Sequence, residues 1–260
     1  MKSFAPVLAL PRTHWLHYQK VDHPECMPEL ERRETERHRV ETEEKVRTAR
    51  RDAVTAWYAR PNLPIDAQVK TFSTFQVTPE NQQVVQRLKA WRTGDDFGFL
   101  ITGPAGTGKS HLAFAILNQM ISEWVASPTE ESSLYLRDVP LPSYFSVSEL
   151  LATMRAKEGT SELDRKLLLP NPIFLDDLGT ESITDWSRDI LFRIFEYRLN
   201  HRYPTFITSN LTLNELKDRL HERVTSRIIG LCVPVMLKGK DRRMDVLADK
   251  VKLLNSRITA

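Results

Sequence analysis

The chain is 260 residues long, 41% hydrophobic, with a net charge of +3. That is the balance of an ordinary globular protein with room for one sizeable domain and an appendage. No run of about 18 apolar residues occurs, so no segment is apolar enough for a membrane-spanning helix. The weak overall field also excludes a polycation, so any nucleic-acid contact needs a local patch.

The amino-terminal stretch to Gln19 lacks the small-residue cleavage site of a secretory leader. The two cysteines, Cys26 and Cys232, lie far apart, as expected of a reduced, cytoplasmic protein. His14, His17, His23 and Cys26 have borderline ligand spacing for zinc, and separate surface and aromatic-turn roles are the plainer reading. Residues 29–52 are densely charged, with opposite signs three or four apart. This predicts a solvated helix, either a connector or a docking surface for a partner helix. The proline-containing stretch 61–70 breaks that pattern and sets a domain boundary. The division expected is a helical region over 1–64 and a second domain over 65–260.

A helix over 79–91, capped by Thr78, comes next. Strands are then expected at 97–102, 144–147, 173–175 and 205–208, alternating with helices at 109–125, 148–157, 186–200 and 214–229. The apolar run 231–237 contains Pro234, the mark of an edge strand, and a short helix at 245–255 closes the chain. The proline-rich stretch 127–143 reads as a loop or hairpin insertion. This order predicts an α/β fold with a parallel sheet flanked by helices.

The chemistry begins at Gly103-Pro104-Ala105-Gly106-Thr107-Gly108-Lys109-Ser110, which matches G-x-x-x-x-G-K-[ST] between an apolar strand and a helix. Glycines let backbone N–H groups close around phosphates, Lys109 supplies a charge to the terminal phosphates, and Ser110 offers a hydroxyl to Mg²⁺. His111, the next residue, joins this nucleotide-binding set. The apolar segment Ile173-Phe174-Leu175 ends in Asp176 and Asp177. Carboxylates at that strand end would meet the metal, through Asp176, and the attacking water, through Asp177. Asn210 follows the next strand, where a polar side chain can bond the lytic water or the γ-phosphate. Arg223 and Arg227 lie four apart on one helical face, and spacing alone does not choose between them.

Taken together, GPAGTGKSHLA, IFLDDLG, the segment Thr184–Leu191, PTFITSNL, ERVTSRI and GKDRR resemble the AAA+ ATPases of the DnaC/DnaI group, the bacterial and phage loaders of the replicative helicase. The resemblance implies an AAA+ P-loop fold with a reduced lid, binding ATP and Mg²⁺. It makes Asn210 a sensor, Arg227 an arginine finger donated into a neighbouring subunit, and Arg243 a second sensor in cis, with Arg223 and Arg242 as rivals. It implies a DnaB-type hexameric helicase as partner, gripped by the amino-terminal region, together with single-stranded DNA and self-assembly through the ATP interfaces. Hydrolysis by the isolated chain should be slow. DNA contacts are expected from Arg155, Lys157, Arg165 and Lys166. The amino terminus departs from the DnaI pattern, which carries a cysteine-rich zinc module. The alternatives are a transposition helper ATPase acting on duplex DNA, a P-loop kinase, and an adaptor that binds ATP without turnover.

Overall fold

A computed structural model describes residues 27–126, 141–156 and 166–258. The zinc candidates, DNA-contact candidates Lys157 and Arg165, and most of the proline-rich stretch lie outside these residues. The chain divides into two compact units, one of Met1–Asp52 with Val125–Arg137 and one of Ala53–Trp124 with Asp138–Ala260.

The described part of the first unit is largely helix α1, Met27–Tyr58, whose last turns belong to the second unit. Ion pairs one turn apart run along it: Arg33 with Glu29 at 2.7 Å, and Arg39 with both Glu36 at 2.6 Å and Glu43 at 2.5 Å. Each such exposed pair contributes only about 0.3–0.5 kcal/mol. The charge pattern therefore supports the helix without a buried face over much of its length.

The second unit is built on five parallel strands in the order β2-β3-β4-β1-β5. These are β1 Gly98–Thr102, β2 Ser143–Ser146, β3 Ile173–Asp176, β4 Thr205–Ser209 and β5 Cys232–Met236. The helices are α2 Gln82–Ala90, α3 Lys109–Ala126, α4 Val147–Ala156, α5 Asp185–Asn200, α6 Leu213–Leu231 and α7 Arg242–Ile258. Side chains alternate across the pleat and fill two cores. Phe99, Ile101, Phe174, Phe206 and Val235 pack with α2, α3 and the 57–75 segment. Leu100, Ile173, Leu175 and Ile207 pack with α4, α5 and α6. β1 and β4 are buried throughout, as strands covered on both faces must be. β5 lies at the sheet edge, the place expected from Pro234.

Three details differ from the sequence reading. Helix α2 starts at Gln82 because Thr78 O accepts from both Asn81 N and Gln82 N, which makes residues 78–81 a turn. Thr78 is therefore not the cap, and its hydroxyl is buried with no partner. Helix α6 is two helices joined at His221, whose φ of 68° and ψ of 156° are not helical. The compact unit begins at Ala53 and takes in Trp57 and Leu63, both in the first core, so it starts ahead of the division expected after residue 64. Arg198 of α5, which sequence gave no reason to single out, is fully buried and binds the segments that enter two strands. It donates to Leu167 O, Leu169 O, Asn171 O and Pro204 O at 2.8–3.0 Å, and to Thr205 Oγ1 at 2.9 Å.

Candidate functional site: a phosphate-binding cleft

The cleft opens where β1 gives way to α3. Gly103, at φ 141°, lets the chain leave the sheet beside Leu237, whose carbonyl oxygen would lie 2.2 Å from any Cβ there. Gly108, at φ 98°, admits the Phe75 ring at 2.7 Å from the same hypothetical atom. Only glycine meets both demands of positive φ and close approach. Thr107 braces the turn by donating to Pro104 O at 2.9 Å, and Lys109 and Ser110 open α3.

Lys109 Nζ is buried and donates to Gly103 O at 2.9 Å, Pro104 O at 2.8 Å and Asn210 Oδ1 at 2.6 Å. Asn210 in turn donates Nδ2 to Asp177 Oδ1 at 2.7 Å. Burial lowers the Lys109 pKa, Asp177 and Asp176 oppose that shift, and the Arg243 charge adds to it. Asp176 accepts from three hydroxyls: Ser110 Oγ at 2.7 Å, Thr208 Oγ1 at 2.5 Å and Tyr144 OH at 3.2 Å. Burial, then the Asp176 charge, pushes the Tyr144 phenol well above its usual range, so it remains a neutral donor. Thr208 also accepts from Asp177 N at 2.9 Å. Asp177 itself adopts φ 65°, a left-handed conformation that Asp tolerates better than most residues.

The far wall comes from the segment before α2 and from α7. The cleft, of about 850 Å³, is lined by Gly106, Gly108 to His111, Asp176, Asp177, Thr208 and Asn210, faced by Asp66, Lys70, Phe75, Arg242, Arg243, Met244 and Leu247. His111 meets Thr71 O at 2.9 Å, and its pKa is lowered chiefly by burial. The start of α7 is tied to the loop because Arg242 N donates to Gly106 O at 3.1 Å. The Arg242 guanidinium stands 4.5 Å from the Phe75 ring centre and donates to Gln76 O, whereas the backbone N of Arg243 is held by Asp241 at 2.9 Å.

This arrangement can grip an anion and place two carboxylates beside it. Ser110 and Asp176 offer neighbouring hard oxygens, the small protein contribution that Mg²⁺ takes when phosphates and water complete its shell. Of the residues expected at the site, Gly106, Gly108, Lys109, Ser110, His111, Asp176, Asp177, Asn210 and Arg243 line this one cleft, while Gly103, Pro104, Ala105 and Thr107 of the loop do not. Arg227 does not line it and pairs instead with Glu196 on α5. Arg155 stands 5.0 Å from the Trp186 ring centre, and Lys166 is exposed.

Residues 29–244 match the family described as IstB-like ATP binding protein. The chain belongs to that family. This member of the IstB-like family is 30% identical over 177 residues to the replicative helicase loader DnaI of Bacillus subtilis, covering 62% of this chain and 53% of DnaI. It is 26% identical over 169 residues to the replicative helicase loader DnaC of Buchnera aphidicola (Schizaphis graminum), covering 61% of this chain and 62% of that one. The IstB-like chain thus spans between half and two thirds of the length of these relatives. Among solved structures it is similar to DnaI, with TM-score 0.55 and 23% identity over 69% of this chain and 94% of that one. It is likewise similar to the DnaC helicase loader, with TM-score 0.52 and 23% identity over 66% and 98%. These likenesses show an AAA+ P-loop fold, and the family shows an ATP-binding protein.

Proposed function

We propose that this protein is an ATP-dependent loader of a replicative hexameric helicase of the DnaB type, acting on single-stranded DNA in the cytoplasm. The observation that carries the reading is the convergence of Lys109, Asp176, Asp177 and Asn210 in one cleft in a chain related to replicative helicase loaders. In this reading the unit that begins at Ala53 forms the ATPase domain, and the amino-terminal region ahead of it docks the helicase.

Backbone N–H groups of residues 103–110 and Lys109 hold the ATP phosphates. Ser110 and Asp176 would hold Mg²⁺, which when bound neutralises charge building on the phosphates. Asp177 takes up the proton of the attacking water, and Asn210, already bonded to Asp177, orients that water toward the γ-phosphate. Arg243 contacts the γ-phosphate in cis. Arg227, which does not line its own cleft and pairs with Glu196, serves the cleft of a neighbouring copy. ATP between copies holds the assembly together, and hydrolysis releases it.

The test is recovery of the helicase on immobilised chain, with and without ATP, for the unaltered protein, Lys109→Ala and Asp177→Asn. Lys109→Ala should lose ATP binding and ATP-dependent recovery. Asp177→Asn should keep ATP binding, lose turnover by about a hundredfold or more, and fail to release the helicase. Recovery indifferent to ATP and to both substitutions would refute the reading. Membership of the IstB-like ATP binding family is equally compatible with a second reading, a transposition helper acting with a transposase on duplex DNA. ATP-dependent retention of duplex DNA with no helicase binding would favour it.

A further inference from the structure

Arg227 sits in the second segment of α6, beyond the break at His221, and faces α5. Its Nε donates to the Glu196 carboxylate. Its guanidinium lies 5.5 Å from the centre of the Phe192 ring, one turn back on α5, and Arg223 lies 3.8 Å from the same centre. A bidentate pair would commit two guanidinium donors to the carboxylate. This one commits a single donor, the nitrogen nearest the stem. Among the described residues no acceptor meets either Nη of Arg227. Arg223 shares the ring but has no carboxylate partner among them. Both members of the Arg227–Glu196 pair keep about a third of their side-chain exposure, 33% and 34%, and an ion pair that open to solvent contributes little to stability. What the contact does fix is direction. A guanidinium anchored at Nε presents its terminal fork, the part that matches phosphate oxygens.

We propose that Glu196 is a positioning residue for Arg227. It holds the guanidinium by Nε above Phe192, so that both Nη groups are presented to the γ-phosphate bound by a neighbouring copy of this chain. The inference rests on the trans-arginine reading above and adds the residue that aims the arginine. It also separates Arg227 from Arg223 on chemical grounds, because only Arg227 has its orientation fixed by a carboxylate.

The experiment measures ATP turnover per chain against chain concentration for the unaltered protein, Arg227→Ala, Glu196→Ala and Glu196→Gln, each checked for folding by circular dichroism. Turnover of the unaltered chain should rise with concentration, and Arg227→Ala should abolish that rise. Glu196→Ala should lower kcat about ten- to a hundredfold, the scale of a misplaced catalytic group, with KM for ATP unchanged because its own cleft is intact. Glu196→Gln, which keeps an acceptor for Nε, should lose less. Adding an excess of Lys109→Ala chains, which cannot turn over but carry an intact Glu196 and Arg227, should restore turnover at the Glu196→Ala clefts. A loss in Glu196→Ala that Lys109→Ala chains do not restore would mean a structural role within its own chain and would overturn the proposal. So would full activity of Glu196→Ala beside an inactive Arg227→Ala, which leaves the trans-arginine reading standing. Undiminished activity of Arg227→Ala, or no turnover of the unaltered chain at any concentration, would remove that reading and this inference together.

Discussion

Thr208 links the Asp176 carboxylate to the backbone of Asp177 at the centre of the cleft, donating to the first and accepting from the N–H of the second. Groups that orient a metal ligand from behind are worth about ten- to a hundredfold in affinity. Thr208→Val should therefore weaken Mg²⁺-dependent ATP binding by about tenfold, and Thr208→Ser should recover most of it, as read by calorimetric titration. Equal affinity in all three proteins would show that Asp176 needs no such support. Lys109, Asp176, Asp177 and Asn210 were legible in the sequence because each stands at a fixed offset from a strand end or inside a spaced motif. Thr208 and Tyr144 were not, because what they touch depends on β4 and β2 flanking β3, a fact of strand order. The pairing of Arg227 with Glu196 was hidden for the same reason, since it needs the packing of α6 on α5.

Element types and order were legible from apolar periodicity, whereas element ends were less so, as the misread cap at Thr78 shows. Thr212 and Glu215 form a reciprocal capping box that starts α6, a pattern visible in Thr-x-x-Glu. The break at His221 has no such local mark, and residues around it read as an uninterrupted helix. Arg198 is the clearest case of an element held by an unsignalled residue. Its guanidinium satisfies four carbonyls at the entries to β3 and β4, and burial lowers its pKa, yet no carboxylate among the described residues pairs with it. Arg198→Ala removes those donors together and leaves the carbonyls unpaired, so it should destabilise the fold by about 3 kcal/mol or more, measured by urea denaturation. A change under about 1 kcal/mol, the size of an ordinary surface substitution, would contradict this account. His111 ties α3 to the Thr71 segment, and its folded pKa lies below the ordinary 6.5 because of burial. The unfolded chain therefore takes up a proton on acidification before the folded one does. The contribution to stability is complete above about pH 6.5 and declines as pH falls below it. His111→Gln should lose less stability than the unaltered protein between about pH 7.5 and about pH 5.5, and equal losses would remove His111 from the acid response.

At the scale of the molecule, a net charge of +3 provides little steering field. With so weak a field, the single-stranded DNA binding proposed for this chain needs a local patch, arranged by the fold or by the proposed ATP-dependent assembly of copies. No helix among the described residues is long and apolar enough to cross a membrane. The parallel sheet flanked by helices follows from the alternation of apolar runs and helical segments, whereas the strand order does not, and the family agrees with the nucleotide-binding motifs. The claim that most needs testing is therefore the use made of ATP, and the direct measurement is transfer of a hexameric replicative helicase onto closed circular single-stranded DNA. The account predicts that the chain with ATP raises the DNA-bound helicase several-fold, that Lys109→Ala does not, and that Asp177→Asn delivers the helicase but stays bound with it on the DNA. Helicase transfer that is the same with and without the chain, at concentrations where ATP is bound, would contradict it.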